Sequence, residues 1–204
     1  MKKLLKKILR PKRNKSGKKC YFLHLPKCGG TSLNKKLRAT FDNPVHMDPA
    51  ASKIAADAKS EPLGRFRESL QLYYMAQKRI DCLSGHFDWS NTAFNSFGNS
   101  WEYVTVLRDP VEKWFSHYFF NRYKKDEHFK IDLSIEEYLE SESGRLIGRD
   151  YLYKLSESET IMDAKDNLSK FSVVGVLEDL STFERGFETV FGVKLKLPIT
   201  NPSP

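Results

Sequence analysis

The stretch Leu25-Pro26-Lys27-Cys28-Gly29-Gly30-Thr31-Ser32-Leu33 decides how this chain is read. Before it stands a short apolar run, Cys20-Tyr21-Phe22-Leu23-His24-Leu25, of strand length and strand-type residues. After it, Leu33, Leu37 and Phe41 form one stripe at helical spacing with basic residues between. The predicted order is strand, glycine turn, helix. A helix N-terminus presents unpaired N–H groups and a partial positive charge, which suits a phosphate or sulfate. Paired glycines let the backbone come close to such an anion, and a lysine entering the turn adds a mobile point charge.

The order of residues within the turn separates it from an ATP or GTP loop. A Walker A loop carries its lysine after the glycines, in G-x-x-x-x-G-K-[ST]. Here Lys27 precedes Gly29 and Gly30.

A second unit of the same kind follows. Trp101-Glu102-Tyr103-Val104-Thr105-Val106-Leu107 is the clearest strand, rich in β-branched and aromatic residues. Arg108-Asp109-Pro110 comes at once. Asp109 suits a helix N-cap, Pro110 the first helical position, and Glu112 would complete a capping box. The helix is predicted to run to about Tyr123, with Val111, Phe115, Tyr118, Phe119 and Arg122 on its buried side and Ser116 turned away from them. Arg108 at the strand end and Ser116 two turns into the helix can converge on one anion, as a planar fork and a hydroxyl donor.

Between these units lies Ile80-Asp81-Cys82-Leu83-Ser84-Gly85-His86-Phe87, read as a short strand and a turn carrying His86. A histidine at the C-terminal end of a strand in an open α/β sheet sits where such folds bind ligands. It also accepts a proton near neutral pH. His24, within the first strand, and His46, His117 and His128 receive no role.

Taken together, these stretches resemble sulfotransferases that use 3′-phosphoadenosine 5′-phosphosulfate (PAPS). Lys27-x-Gly-Gly-Thr-Ser is similar to their 5′-phosphosulfate loop. Arg108-Asp109-Pro110 with Ser116 and Tyr118 is similar to their 3′-phosphate motif. Gly85-His86-Phe87 resembles the Gly-His segment holding the catalytic base in the branch acting on carbohydrates, such as the heparan and uronyl 2-O-sulfotransferases. Val174-Gly175-Val176-Leu177-Glu178 looks like a late strand of the same family, so the likeness extends discontinuously from about Tyr21 to Phe191. It implies a three-layer, P-loop-like α/β domain with a mostly parallel sheet and helices on both faces. It also implies sulfuryl transfer from PAPS to a hydroxyl, with a carbohydrate as the expected acceptor and PAP as the product. Lys27, Cys28, Gly29, Gly30, Thr31 and Ser32 would hold the 5′-phosphosulfate, and Arg108 and Ser116 the 3′-phosphate. Lys27 and His86 would be catalytic, and no metal is called for. The alternatives are a non-catalytic PAP- or PAPS-binding module and a P-loop nucleotide kinase, against which the lysine placement counts.

Composition bounds the rest. With 204 residues, 40% of them hydrophobic and 29% charged, one soluble domain is the expectation. The net charge of +8 suggests nucleic acid until it is located. Residues 1–19 hold ten of the 34 Lys and Arg and no acid, which leaves 24 basic against 26 acidic residues and a net −2 for the body at 20–204. The basicity belongs to the tail, and no nucleic-acid partner is expected. Met1–Arg10 is too short and too charged to span a bilayer. Its Leu4, Leu5, Ile8 and Leu9 would share one helical face suited to peripheral contact with an anionic membrane. Cys20, Cys28 and Cys82 have neither disulfide-framework nor zinc spacing. Reduced thiols in a cytoplasmic protein fit them, with Cys28 a small filler of its turn.

The remaining segments are expected to connect and cover. Residues 42–62 read as a loop with a short helix near Ser52–Lys59, 65–78 as a helix, and 88–100 and 141–158 as polar loops. Ser134 opens a capped helix, 159–170 a helix, Phe171–Leu177 a strand, and a last helix carries Leu180, Phe183, Phe187, Val190 and Phe191.

Overall fold

The computed structural model describes residues 14, 16–124 and 130–197. The apolar face expected within Met1–Arg10, His128 and the terminal Asn201–Pro204 lie outside the described residues.

Five strands form one sheet: β1 (Lys19–Leu23), β2 (Pro44–His46), β3 (Cys82–Gly85), β4 (Trp101–Leu107) and β5 (Val173–Val176). Their order is β2-β3-β1-β4-β5 and every pairing is parallel. The central β1 pairs Leu23 with Gly85 on one side and Phe22 with Val104 on the other. Alternate residues of these strands point to opposite faces, so each face acquires its own core. Tyr21, Leu23, Leu83 and Tyr103 pack on one side, and Cys20, Phe22, Cys82, Val104 and Val106 on the other.

Helices cover both faces. The second core takes Leu33 and Leu37 from α1 (Gly30–Thr40) and Phe183, Phe187 and Phe191 from α10 (Leu180–Phe191). The first takes Met75 from α3 (Leu63–Ala76), Ala93 from α4 (Asn91–Phe97), Leu155 from α8 (Asp150–Leu155) and Ala164 from α9 (Ile161–Ser169). The remaining helices are α2 (Pro49–Ala58), α5 (Pro110–Tyr123), α6 (Ile135–Glu140) and α7 (Glu142–Gly148). The chain is thus α/β with an all-parallel sheet between helical layers. Among the described residues no helix is long and apolar enough to cross a membrane.

Several expectations are corrected. Residues 88–100 are not a loop. Ser90 caps α4 through Ala93 N–H, and the helix seats Ala93 against the sheet. Residues 141–158 hold α7 and α8, each only about two turns long, so their periodicity is too brief to read. The 42–62 segment contributes β2 as well as α2. A three-residue strand opening on Pro44 gives almost no sequence signal, and it lies at the sheet edge, where proline is tolerated.

The buried side of α5 also differs. Lys113, Trp114, Tyr118 and Asn121 face inward, while Phe115 and Phe119 remain 38% and 43% exposed. Apolar residues are spread around most of this helix with polar ones interleaved, so spacing alone does not choose a face. Polar handles choose it. The Trp114 indole N–H donates to the Gly144 carbonyl at 2.9 Å, and the Tyr118 hydroxyl donates to the Leu133 carbonyl at 3.0 Å. Both rings pack with Tyr138 of α6. In α3 the inward residues are Gln71 and Met75.

Candidate functional site

A parallel sheet brings the C-terminal ends of its strands to one edge, and the strand order reverses about the central β1, with β3 and β2 on one side of it and β4 and β5 on the other. Ligands of open α/β sheets bind at such a point. The turns after β1, β3 and β4 meet there around a cleft of about 870 Å³, lined by Lys27, Gly29, Gly30, Thr31, Ser32, His86, Arg108 and Ser116 among others. Of the residues expected from sequence to bind or react, only Cys28 is missing from this lining; Tyr118 of the 3′-phosphate motif packs inward instead. The Cys28 thiol is buried behind the turn, 3.4 Å from the Tyr151 hydroxyl, and burial pushes it up to about 11. It packs as a filler.

The anion turn is built by backbone conformation. Gly29 is the N-cap of α1 at φ 72°, and among the described residues no side chain caps the helix. Among the described residues, the first-turn N–H groups of Gly30, Thr31 and Ser32 therefore have no intrahelical or side-chain capping partner, and all three residues line the cleft. Lys27 itself is left-handed at φ 64°, a conformation that disfavours a side chain and is held here by its surroundings. Gly30 is required for another reason. A Cβ there would fall 1.9 Å from the ring of His24.

Two cations meet at this turn. The Arg108 guanidinium donates to the Lys27 carbonyl at 3.4 Å. Burial, and then the neighbouring Arg108 charge, lowers the Lys27 ammonium to about 8. Its Nζ lies 3.7 Å from the centre of the Phe120 ring. A partly desolvated lysine beside an arginine is a site short of negative charge. Carboxylates supply part of it. Glu112 approaches Arg108 at 3.5 Å and Glu178 at 4.0 Å. The expected capping box is absent, because Glu112 turns to Arg108 and the Asp109 N–H goes to Glu178 instead at 3.2 Å. Asp109 still caps α5 through Val111 and Glu112 N–H.

His86 follows β3 and lines the cleft. Its Nδ1 lies 2.8 Å from the His24 carbonyl oxygen, which can only accept, so Nδ1 carries the hydrogen and Nε2 is left bare. Burial lowers its pKa to about 4, so the ring is neutral and able to take a proton. Arg67 of α3 braces it by donating to the His86 carbonyl at 3.0 Å and to Ser52 at 3.1 Å.

Sequence reasoning missed four contributors. His24 and His117 both line the cleft, His117 held near 4 by burial and in contact with Asn121 at 3.1 Å. Glu178 joins the β5 end to Arg108, and Tyr151 anchors the backbone behind it. The His-Leu-Pro-Lys adjacency was the available signal for His24. Nothing local marks the others, since their partners are 43 or more residues away or a helical turn apart. Neither a scan of protein-family models nor a search of curated proteins finds a match to this chain.

Proposed function

We propose that this chain transfers a sulfuryl group from PAPS to an acceptor hydroxyl, with carbohydrate hydroxyls the acceptor class. One observation carries this function: Lys27, the Gly29–Ser32 turn, His86, Arg108 and Ser116, far apart in sequence, line a single cleft. A nucleotide phosphorylated at both ends has two anionic groups for two cationic turns.

In this mechanism the N–H groups of Gly30 to Ser32 and the Lys27 ammonium hold the phosphosulfate. Arg108 and Ser116 hold the 3′-phosphate. The acceptor oxygen attacks sulfur while the bond from sulfur to the bridging phosphate oxygen breaks. Lys27 offsets the negative charge growing on that oxygen, and His86 Nε2 takes the acceptor's proton. As in phosphoryl transfer, positioning and charge stabilisation supply most of the rate. The products are the sulfate ester, PAP and a proton.

Calorimetry with PAP and with ATP, together with transfer of labelled sulfate from PAPS to a panel of glycans, tests this directly. Wild-type protein binds PAP in preference to ATP. His86→Ala keeps PAP affinity and loses transfer, and Lys27→Ala loses more turnover than PAP affinity. Preference for ATP, or transfer undiminished in both variants, refutes the proposal.

A further inference from the structure

His24 is the least explained polar group of the cleft. It follows the last residue of β1 and is 8% exposed, its ring stacked between Phe22 at 5.3 Å and His86 at 4.2 Å. Its Nδ1 is buried with no hydrogen-bond partner among the described residues. Its opposite edge, Cδ2 and Nε2, lies against Gly30, where a Cβ would come within 1.9 Å of both atoms. Gly30 begins the uncapped first turn of α1.

These contacts select a tautomer. A buried N–H without an acceptor is rarer and costlier than a buried lone pair without a donor. The hydrogen of neutral His24 therefore belongs on Nε2, at the edge facing the turn. His86 carries its own hydrogen on Nδ1, given to the His24 carbonyl. The two stacked imidazoles hold opposite tautomers and present opposite chemistry to one cleft, a donor on His24 and an acceptor on His86.

We propose that His24 is a further donor of the anion site, its Nε2–H directed across Gly30 at the phosphosulfate bound by the Lys27–Ser32 turn. This rests on the PAPS-binding function proposed above. The stack also explains why the two rings do not exchange roles. Burial, with His86 and His46 nearby, lowers His24 to about 3, so it stays neutral and adds no positive charge that would oppose protonation of His86. Gly30 then has a second duty besides its N–H, which is to leave room for the imidazole edge.

Two substitutions separate donor from filler. His24→Gln puts an amide N–H near the position of Nε2, whereas His24→Asn reaches only as far as Nδ1. Losing one hydrogen bond to a charged group predicts PAP affinity roughly 10–100-fold weaker for the Asn variant, with the Gln variant within about threefold of wild type. Both are compared by calorimetry after thermal melts establish that they fold. Wild-type affinity in His24→Asn, or equal loss in two well-folded variants, overturns the inference while leaving PAP binding by the wild type intact. No PAP binding by the wild type overturns the parent function and this inference with it. Long-range proton–nitrogen spectra of the wild type supply a check that needs no variant: the hydrogen on His24 Nε2 and on His86 Nδ1, with the His24 Nε2 signal moving on addition of PAP. A hydrogen on His24 Nδ1 contradicts the assignment.

Discussion

The hydroxyl of Tyr151 holds the backbone of Arg108 by two hydrogen bonds, accepting its N–H at 2.9 Å and donating to its carbonyl at 2.8 Å. The same oxygen lies 3.4 Å from Cys28 Sγ, so one phenol on α8 fastens the turn after β1 to the turn after β4. Removing it strands two part-buried backbone groups. Tyr151→Phe is expected to lower stability by about 1–3 kcal/mol and to weaken PAP binding by loosening Arg108. Chemical denaturation and calorimetry check both, and an unchanged melt with unchanged affinity would show the bonds to be incidental.

Arg108 is held between helpers and competitors. Glu112 and Glu178 orient the guanidinium, yet each lowers the positive potential that a phosphate would meet. Arg108→Ala is expected to weaken PAP binding roughly 10–100-fold, the worth of a charge-assisted pair. Glu112→Gln removes an exposed competitor, so PAP should bind about two- to fivefold more tightly, an effect that fades in high salt. Titrations at two ionic strengths measure this, and weaker binding by the Gln variant would assign Glu112 a positioning role instead.

The pH profile follows from two depressed groups. Lys27 must be cationic to stabilise the leaving phosphate, and it deprotonates at about 8. His86 must be neutral to accept a proton, and it stays so down to about 4. The profile of kcat/KM, which reports the free enzyme, should therefore be flat between those limits, without the acid limb at about 6.5 of an ordinary histidine. Stability moves differently. In the unfolded chain His24, His86 and His117 take up protons at about 6.5, whereas the folded protein resists until about 4 for His86 and His117 and about 3 for His24. The unfolded state binds more protons in that window, so stability is present above it and is lost as pH falls through it. Initial rates and melting temperatures across pH 4 to 9 separate the two effects; an acid limb of kcat/KM near the ordinary histidine value would remove His86 as the depressed base.

A buried ion pair joins α5 to α8. Lys113 and Asp150 are almost wholly removed from solvent, and the Lys113 ammonium also lies 4.8 Å from the centre of the Tyr151 ring. Burial raises the Asp150 carboxyl despite the lysine beside it. Taking away one partner leaves a charge without compensation, so Asp150→Ala is expected to cost about 3–5 kcal/mol. Replacing both, as Lys113→Met with Asp150→Leu, should recover most of that loss, because the pair returns little beyond its desolvation. Denaturation of the three proteins decides, and a double variant as unstable as the single one would contradict the account.

Much of the framework was legible in the sequence. The strand from Trp101 to Leu107 and the Asp109-Pro110 helix start are written in short-range signals: β-branched and aromatic runs, a capping carboxylate, a proline at the first helical position. The same holds for the turn at Gly29, where local sterics demand glycine. Brief helices such as α7 and α8 escaped, since two turns carry too little periodicity to outweigh polar neighbours. The face of α5 escaped because apolar residues surround it, and hydrogen bonds from Trp114 and Tyr118 to distant carbonyls made the choice.

The residue chemistry of the candidate site is written in the chain itself: a lysine before paired glycines, an arginine at a strand end, a histidine after a glycine. Which groups answer them depends on the folded arrangement. Parallel pairing of β1 with both β3 and β4 stacks His24 on His86, and the turns it juxtaposes bring Arg108 to the Lys27 carbonyl and Glu178 to Arg108. Such contacts depend on strand order and on burial, which set tautomers and charge states through neighbours far away along the chain. Local spacing encodes a helix or a turn because its forces act over a few residues; it does not encode which distant side chain will lie across a cleft.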